Sequence, residues 1–273
     1  MGTSRGYKMP KGGNWTPLKN DATDFVQGTG SKDVTPGNLV TDFIRATGGL
    51  KGLMRGNGGS APSVVGGGVA RGSGKRGGIA GSGGSGSGGG GSAAIGTARN
   101  LGGFLSSVSE GGLENALRER GLGDVVGKSA SEVADTLLDE FAGPASTLDN
   151  ALARESLAEI RDEILKDAVT FEDVEKQLNT ALDELGVFGI LASFFGHYIF
   201  KMFCRNFYEE WVKKVGEAKA SSGLSHIKNY ITSSLRSKLA GRKVEKVDWK
   251  KNEGRQIAEN VLTETLEVFG VTG

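Results

Sequence analysis

The sequence predicts an all-α protein: a helical bundle around a long apolar central helix, preceded by a flexible Gly-rich tether and an extended N-terminal tail. Three observations carry this. From Phe104 onward apolar residues recur at three- and four-residue spacing rather than in the alternation of strands. Capping signatures open the periodic segments and glycines close them. Five prolines and few β-branched alternations leave little material for a sheet. The chain divides accordingly into residues 1–55, a tail with two short helices; 56–103, a disordered Gly/Ser-rich linker; and 104–273, the bundle.

Residues 1–15, MGTSRGYKMPKGGNW, are basic, glycine-rich and without periodicity, and read as an extended tail. Thr16-Pro17 and Thr35-Pro36 each resemble a Thr N-cap with Pro at the first helical position. The first helix is then expected from about Pro17 to Val26. The second carries Leu39, Val40, Phe43 and Ile44 on one face. Between Gly56 and Gly103 lie 21 of the 46 glycines, too little apolar surface to offset the entropy of ordering. As a Gly-rich coil this tract spans on the order of 35–40 Å, so the tail can pack on the bundle or act away from it.

In the bundle, Leu113, Ala116 and Leu117 mark a short helix ending near Gly121. Ser129-x-x-Glu132 is a capping box ahead of Val133, Leu137, Leu138 and Phe141, with a stop at Gly143-Pro144. Ser146 is read as the next cap, with Leu148, Leu152, Leu157, Ile160, Ile164 and Leu165 inward. Thr170-x-x-Asp173 opens a stripe of Phe171, Val174, Leu178, Leu182 and Leu185 that ends at Gly186. Leu224, Ile227, Ile231, Leu235 and Leu239 define a later helix. Ile257, Val261, Leu262, Leu266 and Phe269 define the last.

The central helix occupies Val187–Val215. Apolar residues cover its circumference to Phe203, the pattern of a helix buried on all sides. Beyond, Phe207, Tyr208, Trp211, Val212 and Val215 share one face, opposite Asn206, Glu209, Glu210, Lys213 and Lys214. A membrane span is the rival reading. It needs ~20 apolar residues. The run from Val187 to Phe200 is shorter and holds His197, and Lys201 follows. Ala192-x-x-x-Gly196 is a small-xxx-small pair of the kind membrane dimers use. The amphipathic, aromatic turns that follow favour a soluble core helix.

Net charge is +1, but its distribution is uneven: +8 over 1–103, −12 over 104–200, +8 over 201–255 and −3 over the rest. Adjacent basic and acidic segments most simply face each other. Weak nucleic-acid binding by residues 1–103 and 201–255 is the sharper alternative, without a recognisable motif. Gly72–Gly77 fits G-x-G-x-x-G, but no strand precedes it and no helix follows. A P-loop fails because Val69 stands at its first glycine and Arg76 replaces Ser/Thr. Arg71, Lys75 and Arg76 read as solvated linker.

The single Cys204 excludes an internal disulfide, and no signal peptide opens the chain, which suits a reducing cytoplasm. Cys204 reads as a buried structural thiol. His197 and His226 have no second ligand type at metal spacing, so no metal site is expected. Glu155, Glu159, Asp162 and Glu163 fall on predicted outer faces, a solvated acidic surface rather than an acid–base pair. No catalytic constellation emerges, and no cofactor is called for. Gly2 is the remaining candidate: Met1-Gly2-Thr3-Ser4 suits removal of Met1, whereas Gly6 departs from the Ser/Thr that N-myristoylation prefers.

Met1-Gly2-Thr3-Ser4, the basic Gly/Pro tail with Tyr7 and Pro10, the helix start Trp15-Thr16-Pro17-Leu18, the Gly-rich tether and the helical C-terminal domain together resemble the QatB family, the B component of the bacterial Qat anti-phage defence system. The close likeness covers roughly the first 18 residues, and the rest is similar in architecture. The resemblance implies a non-catalytic partner protein. It would work beside an ATPase, a QueC-like enzyme of 7-deazaguanine chemistry and a TatD-like nuclease. The QueC-like enzyme would receive the tail residues Gly2, Thr3 and Ser4 and attach a deazaguanine-type base to the Gly2 amine. A slim, disordered tail suits an enzyme cleft and reversible binding. The rival function is a membrane-active effector inserting the 187–204 helix.

Overall fold

A buried aromatic ladder holds the N-terminal helices to the middle of the chain. The computed structural model describes residues 10, 12–29, 34–54, 93–239, 241–242, 249 and 252–271. Among these are nine α-helices and no strand: α1 (Trp15–Gln27), α2 (Pro36–Ala46), α3 (Gly49–Met54), α4 (Ala93–Glu119), α5 (Ala130–Ala142), α6 (Leu148–Ile164), α7 (Phe171–Val215), α8 (Glu217–Lys238) and α9 (Asn252–Val268). A short 3-10 turn at Gly123–Val125 joins α4 to α5.

The capping boxes form as read. The Ser129 and Thr170 side chains accept from the Glu132 and Asp173 amides, and each carboxylate accepts in return from the N-cap amide. Thr35 caps α2 with Pro36 at its first position. Two starts differ. α1 begins at Trp15, because the first helical amides lack intrahelical partners and Pro17 is tolerated anywhere in that turn. Thr147, not Ser146, caps α6 by accepting from Asn150. That leaves Leu148 at the first helical position, facing outward at 44% exposure.

α7 is two helices merged across Gly186, where φ 65 and ψ 173 break the spiral. Only glycine adopts that pair without strain, so the stripe ending at Leu185 and the helix beginning at Val187 are re-aimed there. Gly112 makes the same break in α4. Past Gly186 the helix is enclosed as expected: Phe188, Leu191, Phe194, Phe195, Ile199 and Phe203 are buried. α4, α6 and α8 pack on it most extensively, with α1, α2, α5 and α9 completing its surroundings. Two assignments on its last turns shift. Asn206 is buried, its amide donating to the Met202 carbonyl, and Tyr208 is 37% exposed.

The N-terminal helices join this core rather than standing apart. Trp15 meets Phe43 edge-on at 6.1 Å, Phe43 meets Phe203 at 5.2 Å, and Phe203 meets Phe207 at 4.5 Å. Trp211 continues the ladder to Phe25 of α1. At the other end, the Thr41 hydroxyl donates to the Phe269 carbonyl and Lys238 to the Val268 carbonyl, closing the last turn of α9.

α4 starts at Ala93, inside the 56–103 tract expected to be disordered, so the bundle's boundary moves back to that residue. Ala94, Ile95, Ala98 and Leu101 form a buried stripe there. Gly102 and Gly103 are a packing notch: Trp249 lies so close that a Cβ on Gly102 would sit 2.4 Å from its ring. The helix start is held from outside, because the Asp149 carboxylate accepts from the Ala93 amide at 2.6 Å and from the Tyr198 hydroxyl. Residues 56–92, with Arg71, Lys75 and Arg76, lie outside the described residues.

Among the described residues one helix, α7, is long and apolar enough to cross a membrane, and 67% of its most apolar window is buried within the fold.

Candidate functional site

Glu159 and Glu163 sit one turn apart on α6, and His197 and Lys201 one turn apart on α7. The helices run in opposite directions, so the pairs meet in crossed order. Lys201 donates to Glu159 Oε1 at 2.8 Å, and His197 Nε2 stands 3.1 Å from Glu163 Oε1. Lys228 of α8 donates to Glu159 Oε2 at 2.7 Å. One carboxylate thus ties three helices together. This corrects the reading of Glu159 as part of a solvated face: its side chain is only 29% exposed. Glu155, Asp162 and Glu163 are exposed as expected. His197 is a core histidine satisfied by Glu163.

Burial raises the Glu159 carboxyl, but the bonds from Lys201 and Lys228 outweigh it and hold the group at about 2. Glu163 is likewise held below its ordinary value, chiefly by the His197 hydrogen bond against the opposing effect of burial. Glu159, Glu163 and His197 place ligand atoms within 4.8 Å of one another, the spacing of a three-ligand cation site. The chemistry argues against a cation there. Both Glu159 oxygens already accept from ammonium groups, so two lysines balance the two carboxylates, and a divalent ion would face both positive charges at close range. The arrangement is an ionic tie.

Its stability contribution has a definite pH window. A carboxyl depressed from 4.5 to about 2 stabilises the fold at pH values above 4.5 and loses that contribution as pH falls toward 2. With partial solvent screening the expected size is about 1–2 kcal/mol. Glu159→Gln should therefore lower stability by that amount at pH 7, and the gap to the native chain should close on acidification from pH 4.5, followed by urea denaturation across pH. A gap constant down to pH 2 would contradict this assignment.

Beside the tie, α7, α8 and the Gly186 bend border a cleft of about 430 Å³. A second hollow of about 290 Å³ shares Glu163, Glu184, Leu185, Ser193 and Arg236 with it. The groove exists because α7 presents Gly189, Ala192, Ser193 and Gly196 on one face, at spacings that return to the same side of a helix. The Ala192/Gly196 pair therefore serves packing inside this fold: at Gly196 a Cβ would meet Leu235 at 2.5 Å, so α7 and α8 touch there.

Cys204 is partly buried and its thiol is pushed up to about 12, first by burial, so it is protonated at neutral pH. Burial, and then Asp149, raise the Tyr198 phenol above its ordinary value. His226 stacks edge-on against Phe25 at 6.4 Å. Lys201 and Lys228, from the basic 201–255 segment, meet Glu159 from the acidic one, as the charge asymmetry predicts. Gly2, Thr3 and Ser4 lie outside the described residues.

The family model described as Qat anti-phage system associated protein QatB matches residues 83–269. The chain belongs to the QatB family. It is thus a component of a Qat anti-phage defence system, acting with other components of that system. The matched span begins before Ala93 and covers α4 to α9, so the family is carried by the helical bundle. Neither the curated proteins nor the solved structures contain a match to this chain.

Proposed function

We propose that this QatB-family chain is a non-catalytic adaptor whose N-terminal tail is bound, and covalently modified at Gly2, by a QueC-like partner enzyme. The bundle would dock the ATPase and the TatD-like nuclease of the same system. Membership of the family is the observation that carries this reading. The tail sequence Met1-Gly2-Thr3-Ser4 supplies its detail. Two structural features support it. Lys19 donates to the Pro10 carbonyl at 2.8 Å, tying the later part of the tail to α1. The candidate reactive groups Cys204, Tyr198, His197 and Glu159 are protonated or engaged in internal bonds, consistent with a scaffold role. This reading puts the chain in the cytoplasm, with 56–92 as the tether.

Residues 2–9 precede every described helix. Mixed with the QueC-like protein of its own system, the full chain should co-elute in size exclusion and a chain lacking residues 2–9 should not. Equal co-elution of both would sink the tail reading. Membrane insertion of the 187–204 helix is the weaker alternative, since it requires breaking the Lys201–Glu159 bond and stripping the aromatic ladder from Phe203.

A further inference from the structure

We infer that the enzyme that takes the N-terminal tail also rests on the exposed face at the start of α1, formed by Asn14, Thr16, Pro17 and Asn20, because the tail leaves the bundle from a fixed point. The inference rests on the tail reading above and adds to it the surface on which that partner docks.

The first support is the anchorage of the tail's base. Trp15, Leu18 and Ala22 of α1 and Leu39, Val40, Phe43 and Ile44 of α2 are buried in the common core. Lys214 of α7 donates to the Thr23 hydroxyl at 2.8 Å, and the Thr41 hydroxyl to the Phe269 carbonyl at 2.7 Å. Freeing α1 and α2 would return all of these apolar side chains to water. The anchorage continues upstream of the helix. The Trp15 amide donates to the Gly12 carbonyl at 3.1 Å, and Lys19 holds the Pro10 carbonyl. The Gly/Ser-rich tract 56–92 enters the chain only after α3, so its length adds nothing to the reach of the tail while α1 stays docked.

The second support is that reach. The eight residues 2–9 extend to at most about 26–29 Å. A cleft that encloses Gly2, Thr3 and Ser4 leaves residues 5–9 between its mouth and Pro10, at most about 18 Å of chain. A small domain is itself about 30 Å across, so a body of that size comes up against the bundle beside Pro10. The surface there suits such a contact. Asn14, Thr16, Pro17 and Asn20 are exposed and uncharged, and Lys19, the one charged residue between positions 12 and 20, is half-buried and bonded to Pro10. A face without fixed charges matches the centre of an interface, where charged residues are depleted.

The test is the affinity of the full chain, immobilised through its C-terminus, for the QueC-like protein of its own system. Thr16→Arg with Asn20→Arg puts bulk and charge on the face and should weaken binding at least about tenfold. A flexible spacer of about 12 Gly/Ser residues between Met9 and Pro10 lets the partner stand clear of the face. With it, the Arg variant should come within about threefold of the native chain carrying the same spacer, a recovery that a misfolded variant would not show. Lengthening the 56–92 tract by about 20 Gly/Ser residues should leave the affinity unchanged. Binding indifferent to the two arginines, a loss that the spacer does not relieve, or an affinity that follows the length of the tract overturns the inference. Failure of the tail reading itself looks different: the chain lacking residues 2–9 would then bind as tightly as the native chain, and the docking face falls with it.

Discussion

Phe203→Ala should lower the stability of the folded chain by about 3–5 kcal/mol. Phe203 is fully buried and its ring lies 5.2 Å from Phe43, 4.5 Å from Phe207 and 5.8 Å from Trp211. Removing it deletes the apolar contacts of a whole ring and opens a cavity that helices on several sides cannot all collapse to fill. It also removes the shortest ring contact from α7 to α2, leaving Phe43–Phe207 and Phe25–Trp211 to hold α2 and α1. Chemical denaturation should show the loss as a lowered midpoint, and hydrogen exchange should rise first in α1 and α2. Unchanged protection of Trp15–Gln27 would mean that these helices dock by some other contact.

Gly102→Val should cost about 2–3 kcal/mol, by overpacking rather than by cavity formation. The new Cβ would lie 2.4 Å from two atoms of the Trp249 ring and 3.0 Å from a third, well inside contact distance. Trp249 has little room to yield, since a Cβ on neighbouring Gly103 would already meet it at 3.1 Å and the indole is 8% exposed. The strain belongs to one pair, so it should be non-additive. Gly102→Val combined with Trp249→Ala should lose less than the sum of the two single changes. Strict additivity would remove the notch from this account.

The sequence made the helix type, most caps and the inward stripes visible because each is a local pattern. The α8 stripe from Leu224 to Leu239 is buried throughout, and both capping boxes close as their spacing predicts. What it hid has physical reasons. Composition concealed the start of α4. Gly96, Gly102 and Gly103 read as tether, yet Ala94, Ile95, Ala98 and Leu101 keep helical spacing. Gly102 and Gly103 serve close packing against Trp249, which no propensity scale records. The Thr16-Pro17 signal misplaced α1 because proline marks a first turn without fixing its register. The ionic tie was missed because Glu159, Lys201 and Lys228 are far apart in sequence. A usable clue was present: carboxylates one turn apart at 159 and 163, against bases one turn apart at 197 and 201. Recognising it required knowing that α6 and α7 run antiparallel. The tail reading, in contrast, rests on residues 1–18 alone, outside the span that carries the family match.

The most direct measurement of the central claim is the intact mass of the protein, with an N-terminal peptide map, after expression with and without the other components of its system. The adaptor reading predicts a mass gain that depends on those components, localises to Gly2, and is absent when the QueC-like enzyme alone is omitted. The same unmodified Gly2 in every preparation would contradict it.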